Sequence, residues 1–200
     1  MIKTVIFDFG VVLIDWHRRY LYDKVFSTPE ETDFFLNNIF TMEENNQFDL
    51  GIIPCAEVVR QCIAKHPDYA EYIKMYDTRW IEMTNGTNTD MFNFMRHLKG
   101  RYQILGLTNY SHEKLLETYK KYPEFDLLEG VVDSGTEHIM KPDARLYQIL
   151  LDRYHVVPNE AVFIDDRPEN IDTAIKLGIH GIVYQSNEQT FAELKTLGVE

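Results

Sequence analysis

Cysteine, tryptophan and positive charge are all scarce in this chain. Only two cysteines and two tryptophans occur among its 200 residues. Cys55 and Cys62 are seven positions apart in a stretch with helical spacing, so they share one helix face without being able to form a disulfide. Cysteines that stay as free, buried thiols suit a reducing compartment. We therefore predict a cytoplasmic protein.

Several sequence signatures are missing altogether. No Cys-x-x-Cys, His-Glu-x-x-His or close histidine cluster is present, which argues against a zinc site. No Gly-x-x-x-x-Gly-Lys-Ser/Thr loop occurs, which excludes a nucleotide triphosphatase of that kind. No apolar run approaches the ~20 residues of a membrane-spanning helix. Lys3 alone precedes the first apolar run and no small-residue cleavage site follows, so we expect no signal peptide.

The shortage of basic residues limits the possible partners. The chain has 20 Lys and Arg against 32 Asp and Glu, a formal net charge of −12 at pH 7. Such an acidic surface repels phosphate backbones and anionic lipids, so we expect neither nucleic acid nor a membrane as a partner. Hydrophobic residues make up 44% and charged residues 26%, as in an ordinary globular protein. The composition predicts no particular oligomeric state.

Short apolar runs alternate with helical patterns along most of the chain, which is typical of a parallel sheet covered by helices. We predict a doubly wound, Rossmann-type α/β core. Its strands are predicted at Thr4–Phe7, Gln103–Leu107, Gly130–Val132, Ala161–Ile164 and Gly181–Tyr184. Helices are predicted around Met91–Leu98, from a Ser111 cap to Tyr122, from Pro142 to Tyr154, and around Ile171, Ala174 and Ile175, with Gly178 as a stop.

One region interrupts this alternation. From Asp15 to Gly86 we find no convincing strand, only helical sequence rich in aromatic residues. A crossover between parallel strands needs only about a dozen residues, so most of this region is surplus to the sheet. We predict that residues 15–86 form a helical cap inserted after the first strand, and that residues 1–14 and 87–200 form the core. The cap aromatics are predicted mainly to pack its interior.

Polar side chains follow three predicted strands at their carboxyl ends, where open α/β sheets bind ligands. Asp8 follows the first strand, Thr108 the second, and Asp165 and Asp166 the fourth. Three carboxylates in one pocket repel one another unless a cation intervenes. A ligand set made only of oxygen atoms suits Mg²⁺. The sequence therefore predicts a magnesium site at this edge of the sheet.

Two further residues complete a set suited to phosphate chemistry. Asn109 comes directly after Thr108, and Lys141, before a predicted helix, can reach the same edge. A metal ion, a nucleophilic carboxylate, a hydroxyl group and a lysine are the parts needed to bind and transfer a phosphoryl group.

Four motifs that contain these residues resemble those of the haloacid dehalogenase-like (HAD) hydrolase superfamily. They are Phe-Asp8-Phe-Gly10, Leu-Thr108-Asn109, Lys141-Pro142-Asp143 and Phe-Ile-Asp165-Asp166, in the order of the family. The segments Ile14-Asp15-Trp16 and Tyr20-Leu21-Tyr22 resemble a subgroup similar to bacterial α-D-glucose-1-phosphate phosphatases. The resemblance implies a Mg²⁺-dependent phosphatase of small, sugar-phosphate-like metabolites, with a mobile cap over the site.

The resemblance also implies a role for each motif residue. Asp8 would bind the metal and attack phosphorus to form an aspartyl-phosphate. Thr108 and the Asn109 backbone would hold phosphate oxygens, and Lys141 would offset negative charge. The remaining metal ligands would be Asp165 directly, Asp166 directly or through water, and the Gly10 carbonyl.

Gly10 is a departure from the family pattern. Most phosphatases of the family carry an aspartate there, which acts as general acid and base. Metal binding through the backbone survives this change, but the usual proton donor is lost. Unless another acid takes over, the enzyme would favour acidic leaving groups such as an anomeric sugar hydroxyl. The candidates to replace it are Asp15, His17, Glu43, Glu44 and Asp49.

Two alternative functions remain open from the sequence. A 2-haloacid dehalogenase needs no general acid, which suits Gly10, but it needs no metal and leaves Asp165 and Asp166 unexplained. A signalling receiver phosphorylated on Asp8 also uses acids, Thr and Lys around Mg²⁺. In receivers, however, the acidic pair follows the first strand, and a 70-residue insert is absent.

Overall fold

The protein is described by a computed structural model that covers residues 1–200. Seven strands are present: β1 Thr4–Phe7, β2 Ile14–Trp16, β3 Thr84–Thr87, β4 Gln103–Thr108, β5 Gly130–Asp133, β6 Ala161–Asp165 and β7 His180–Val183. Five of them form a parallel sheet in the order β5-β4-β1-β6-β7. The predicted doubly wound α/β core is confirmed, and all five predicted core strands are present to within one residue at each end.

Helices flank the sheet and fill the inserted segment. Their bounds are α1 Arg19–Tyr22, α2 Pro29–Asn38, α3 Met42–Asp49, α4 Cys55–Lys65, α5 Ala70–Thr78, α6 Thr89–Leu98, α7 His112–Lys121, α8 Ser134–Glu137, α9 Ala144–Arg153, α10 Pro168–Lys176 and α11 Asn187–Thr196. Short 3₁₀ turns lie at Pro67–Tyr69, Trp80–Met83, Pro123–Leu127 and Pro158–Glu160. None of these helices combines the length and the apolar character needed to cross a membrane.

The central strand shows why the sheet sequences are apolar throughout. All four residues of β1 are buried, because helices cover both faces of the sheet. Successive side chains point to opposite faces, so Ile6 packs with Leu105 and Phe163 in one apolar cluster. Val5 and Phe7 join the larger cluster on the other face, which continues into the inserted segment.

The expectation that residues 15–86 contain no strand is wrong. Strands β2 and β3 form an antiparallel ribbon at the two ends of this segment, with Ile14 opposite Thr87 and Trp16 opposite Thr84. The strands have three and four residues, and β3 reads Thr-Asn-Gly-Thr, so neither carries a recognisable alternation. Their pairing depends on contacts between distant parts of the chain.

Two local expectations in the helices also need correction. The helix predicted from Pro142 begins at Ala144, because the carboxylate of Asp143 accepts a hydrogen bond from the Arg145 N–H at 2.9 Å and caps it. Ser111 stands at the N-cap of α7, but its hydroxyl makes no capping bond. Ile175 is 55% exposed, unlike its buried neighbours on α10, since it lies at the edge of the packed face.

The segment 15–86, called the cap below, has an aromatic interior as predicted. Tyr22, Phe35, Phe40 and Tyr76 are fully buried, and the rings of Phe40 and Tyr76 stack with centroids 3.9 Å apart. Phe34 is an exception, with half of its side chain exposed. Both cysteines lie on α4 as buried free thiols, as the sequence predicts.

Several contacts join the cap to the core, and two of them involve Lys114 and Gly51. The buried Lys114 ammonium on α7 pairs with the Asp77 carboxylate on α5 at 2.7 Å. On the other side, Gly51 approaches the backbone of Gly135 so closely that a Cβ on Gly51 would lie 1.9 Å from the Gly135 carbonyl oxygen. The backbone of Gly51 is left-handed, with φ at +72°. Only glycine therefore fits at this point of the cap.

We expect Gly51→Ala to destabilise the protein more than Gly100→Ala does. Both glycines have a left-handed φ, which costs an alanine about 1–2 kcal/mol. Only at Gly51 would the new methyl group also collide with backbone, which adds about 1–3 kcal/mol. Urea unfolding of the two variants measures the difference in the free energy of unfolding. Equal losses would contradict the tight contact between cap and core.

Candidate active site

Asp8 lies directly after β1, at the carboxyl edge of the sheet. Its backbone N–H donates to the Ile164 carbonyl of the neighbouring strand at 2.9 Å, which fixes the main chain. Of the two carboxylate oxygens, Oδ1 accepts the Phe9 N–H at 2.7 Å and lies 2.8 Å from the Lys141 ammonium. Oδ2 accepts no hydrogen bond. One oxygen is thus held in place, and the other is available to react.

Lys141 is buried between two carboxylates. Its Nζ lies 2.8 Å from Asp8 Oδ1 and 2.7 Å from Asp165 Oδ2, and it also donates to the Leu107 carbonyl at 2.9 Å. Burial tends to lower the pKa of this ammonium, but the two carboxylates outweigh that effect and raise it. Lys141 is therefore charged at neutral pH and fixes the Asp8 carboxylate.

The Thr108–Asn109 pair lies beside this group. Thr108 is the buried last residue of β4, next to β1 in the sheet. The side chain of Asn109 binds the backbone of Lys141 at both polar atoms: its Oδ1 accepts the Lys141 N–H at 2.7 Å, and its Nδ2 donates to the Lys141 carbonyl at 3.0 Å. Asn109 thereby holds Lys141 at the site.

The two acids at the carboxyl end of β6, Asp165 and Asp166, occupy different surroundings. Asp165 is fully buried, and its carboxylate accepts hydrogen bonds from Lys141 Nζ, the Arg167 N–H and Asn170 Nδ2 at 2.7–3.0 Å. The Asp166 carboxylate accepts no hydrogen bond from a side chain and lines the cavity above the site, as Asp165 does not. Asp166 is thus the acid with free coordinating capacity.

The net negative charge of the cluster formed by three carboxylates and Lys141 favours binding of a divalent cation. Oxygen atoms of Asp8, Asp165 and Asp166 lie within 4.8 Å of one another, and Lys141 supplies one positive charge against three negative ones. Burial raises the pKa of Asp8 to about 7, with Lys141 lowering it and Asp165 raising it further. Burial and Asp165 also raise the pKa of Asp166. A cation would relieve both effects and keep the carboxylates ionised.

The donor set fits Mg²⁺ in particular. It consists of hard oxygen atoms from few protein groups, and Mg²⁺ in such sites keeps several waters. The buried Oδ1 of Asn170, beside Asp165, has no hydrogen-bond partner in the protein, which leaves an acceptor for a water molecule. The structure therefore offers both the ligands and a place for the hydration that this ion needs.

A cavity of about 250 Å³ opens above these residues, between the core and the cap. Asp8, Thr108, Lys141 and Asp166 line its core side. The cap and the turn after β1 supply apolar walls and three polar side chains: Val11, Trp16, Met42, Trp80, Asn45, Asn46 and Asp49.

The space beside the Cα atom of Gly10 is empty. Gly10 lines the cavity, and a Cβ built on it would meet no atom within 4 Å. Packing therefore does not exclude an aspartate at this position. The Gly10 carbonyl accepts the Val12 N–H at 2.7 Å, in a turn where Val11 has a left-handed φ of 66°.

The structure separates the five candidate replacement acids. Asp15 accepts hydrogen bonds from Tyr20 OH and Asn85 Nδ2 at the outer ribbon, and Nδ1 of the exposed His17 accepts the Arg19 N–H. Glu43 is exposed at the start of α3, and neither it nor these two residues lines the cavity.

The last two candidates lie on the same helix but differ in position. Glu44 caps α3 by accepting hydrogen bonds from Thr41. Partial burial would raise the pKa of Glu44, but these hydrogen bonds lower it. Glu44 does not line the cavity. Asp49, at the other end of α3, is the only candidate that faces the cavity.

Sequence reasoning missed Asn170 and Asn45. Asn170 lies five positions after Asp165, on the first turn of α10, and that spacing returns its side chain to the acid. Asn45 lies four positions before Asp49 on α3, so both share one helix face. The two spacings were visible in the sequence, but an amide at helical spacing is common and carries little signal alone.

Comparison with known proteins identifies the family. The chain matches the model of the haloacid dehalogenase-like hydrolases over residues 2–178. It therefore belongs to this family and is a hydrolase, as its four motifs predict.

Relatives and solved structures agree with this result. The chain is 26% identical to sesquiterpene phosphatase astK of Aspergillus oryzae over 199 residues, 98% of this chain and 96% of that protein. It is 40% identical over 99 residues to acyl-CoA dehydrogenase family member 10 of Mus musculus, of which it spans only 9%. A HAD family enzyme from Bacteroides thetaiotaomicron superposes with a TM-score of 0.76 at 24% identity, covering 96% of this chain and 98% of that one.

Proposed function

We propose that this protein is a Mg²⁺-dependent phosphatase of small phosphorylated metabolites. The observation that carries the proposal is the cluster of Asp8, Asp165 and Asp166 around Lys141, at the bottom of the cavity between the cap and the core. A receiver module would not need such a cavity above its phosphorylated acid. The relative from Aspergillus oryzae, which matches almost end to end, is named as a phosphatase.

Each residue of the cluster has a task in this reaction. The free Oδ2 of Asp8 attacks phosphorus, and an aspartyl-phosphate forms while Lys141 holds Oδ1 and offsets negative charge. The Thr108 hydroxyl and the Asn109 backbone, at the end of β4, hold phosphate oxygens. Water then releases phosphate from Asp8.

The metal would be held by Asp8, Asp166 and the Gly10 carbonyl. Because the Asp165 carboxylate is occupied by Lys141, Asn170 and the Arg167 N–H, we propose that it positions Lys141 and reaches the metal through water. Mg²⁺ bound there supplies positive charge that neutralises the phosphate during transfer. A Bacteroides thetaiotaomicron enzyme of the same fold has been crystallised with magnesium and inorganic phosphate.

The cavity limits the size of the leaving group. Its volume of about 250 Å³ lies just below the range of roughly 300–1,000 Å³ for ligand pockets, and Asn45, Asn46 and Asp49 offer hydrogen bonds on the cap side. We propose a compact, hydroxyl-rich leaving group such as a sugar, in a cavity that opens when the cap (15–86) moves on the core (1–14 and 87–200). A long apolar chain, as in sesquiterpene phosphates, would need a wider opening.

A substrate panel with and without Mg²⁺ tests this function. Sugar phosphates, alkyl and prenyl phosphates and p-nitrophenyl phosphate are compared, with release of inorganic phosphate as the measurement. We expect hydrolysis that depends on Mg²⁺ and is fastest for the sugar phosphates. Gly10 also suits a dehalogenase, so 2-chloropropionate belongs in the panel. Halide release without Mg²⁺, and no phosphate release, would replace the phosphatase proposal.

A further inference from the structure

We infer that Asp49, on the cap helix α3, is the general acid and base of this site and replaces the carboxyl group that is absent at position 10. The inference rests on the proposed phosphatase function and adds the proton donor that the core does not contain. Among the acidic side chains of the cap, Asp49 is the one that lines the cavity with Asp8, Thr108 and Lys141.

Hydrogen bonds fix the Asp49 carboxylate at both oxygens. Oδ1 accepts the backbone N–H of Ser111 at 3.0 Å, and Oδ2 accepts Asn45 Nδ2 at 2.5 Å. The buried Tyr76 hydroxyl donates to Asn45 Oδ1 at 2.6 Å, which directs the amide NH₂ of Asn45 towards Asp49. Because a carboxylate oxygen can accept two hydrogen bonds, each oxygen keeps capacity for a substrate or water proton.

The same residue is tied to the phosphate side of the site. The Asp49 carbonyl accepts the Ser134 hydroxyl at 2.6 Å, and Ser134 Oγ accepts the Tyr110 N–H at 2.9 Å. Tyr110 and Ser111 follow Thr108 and Asn109 directly in the chain. Seating of the cap on the core therefore sets the position of Asp49 relative to the phosphate-binding residues.

The surroundings of Asp49 suit a proton donor at neutral pH. Burial raises the pKa of its carboxyl group to about 7, while the bonds from Ser111 and Asn45 lower it. No cation forms an ion pair with Asp49. The nearby titratable groups are Tyr76 on α5, Tyr110 after β4, and His138 after α8, whose ring binds the Leu50 carbonyl. The charged groups across the cavity are Asp8, Lys141, Asp166 and Arg167.

Asp49 alone can donate the proton that the leaving oxygen needs and recover one from water. As Asp8 Oδ2 bonds to phosphorus and the bond to the leaving oxygen breaks, the Asp49 carboxyl gives that oxygen its proton and becomes a carboxylate. Water then attacks phosphorus and transfers a proton to the Asp49 carboxylate, and the bond between Asp8 and phosphorus breaks. Asp49 ends protonated, and the products are an alcohol and inorganic phosphate.

The test compares two substrates in the presence of Mg²⁺. p-Nitrophenolate leaves without a proton, whereas the alkoxide of an alkyl phosphate needs one. In Asp49→Asn we expect kcat/KM to fall about 10²- to 10⁴-fold for an alkyl phosphate and less than about tenfold for p-nitrophenyl phosphate. kcat/KM reports only the steps up to and including phosphorylation of Asp8. Loss of the base in the later hydrolysis step therefore does not affect the comparison of the two substrates.

The pH profile provides a second readout. In the wild type, the ratio of the alkyl to the aryl rate should fall as pH rises through about 7, because Asp49 loses its proton. Ionisation of Asp8 changes the rates for both substrates by the same factor, so it does not change their ratio. In Asp49→Asn the ratio should be low at every pH.

Two further variants keep the test decisive. The amide of Asp49→Asn meets the NH₂ group of Asn45. Asp49→Ser avoids this contact and has no acidic group, so it should give the same ratio. Glu43→Gln removes an exposed carboxylate of the same helix and should behave as the wild type. Equal losses on both substrates, or no loss on the alkyl phosphate, would overturn the inference. A wild type that hydrolyses neither of these substrates nor any sugar phosphate of the panel would reject the phosphatase proposal itself.

Discussion

Asp8→Asn should abolish turnover and leave the protein folded. Asparagine has the same shape as aspartate, and its carbonyl oxygen can still accept the Phe9 N–H that Asp8 Oδ1 accepts now. The amide cannot form an acyl-phosphate, so we expect the rate to fall at least about 10⁴-fold. The assay is phosphate release from the best substrate of the panel.

Stability separates this loss from misfolding. Burial and the nearby Asp165 already oppose the charge of Asp8, so removing that charge should not lower the melting temperature in a chelator. Beryllium fluoride, a phosphate analogue, should attach to Asp8 in the wild type and not in the variant. A residual rate above about a hundredth of the wild-type rate would contradict the covalent mechanism.

Removal of Mg²⁺ should abolish activity and lower stability together. Three carboxylates face one ammonium in the cluster, so a bound divalent cation stabilises the folded state by mass action. At about 100 times its Kd, this amounts to about 2.7 kcal/mol, or a melting temperature higher by roughly 5–10 °C. Thermal melts in Mg²⁺ and in excess chelator measure the difference. Full activity in chelator would instead favour the dehalogenase chemistry.

Substitutions of the two acids at the carboxyl end of β6 should have different effects. Asp166→Asn should remove the Mg²⁺-dependent stabilisation and leave the melt in chelator almost unchanged, because its carboxylate has no side-chain hydrogen-bond partner to lose. Asp165→Ala should destabilise the protein even in chelator, on the order of 3 kcal/mol, since it strips Lys141 and Asn170 of a buried partner. If Asp165→Ala removed the Mg²⁺-dependent stabilisation and Asp166→Asn kept it, Asp165 would be the direct metal ligand, as the resemblance alone implied.

The sequence by itself determined the sheet and the acids at its edge. The core strands are short and apolar on both faces, and a polar residue ends or directly follows each strand that contributes to the site. Because parallel strands present their carboxyl ends at one edge, position in the chain was enough to bring Asp8, Thr108 and Asp165 together. The strand order confirms that β4, β1 and β6 are neighbours.

The tertiary structure alone decided what the cap contributes. The ribbon of β2 and β3 and the contact of Gly51 with Gly135 join residues 68 or more positions apart, where local patterns carry no information. The same holds for Asp49: five candidate acids looked alike in the sequence, and only the packing of α3 on the core placed one of them in the cavity. Burial and long-range hydrogen bonds, rather than residue type, distinguish the acid that faces the substrate from those that face water.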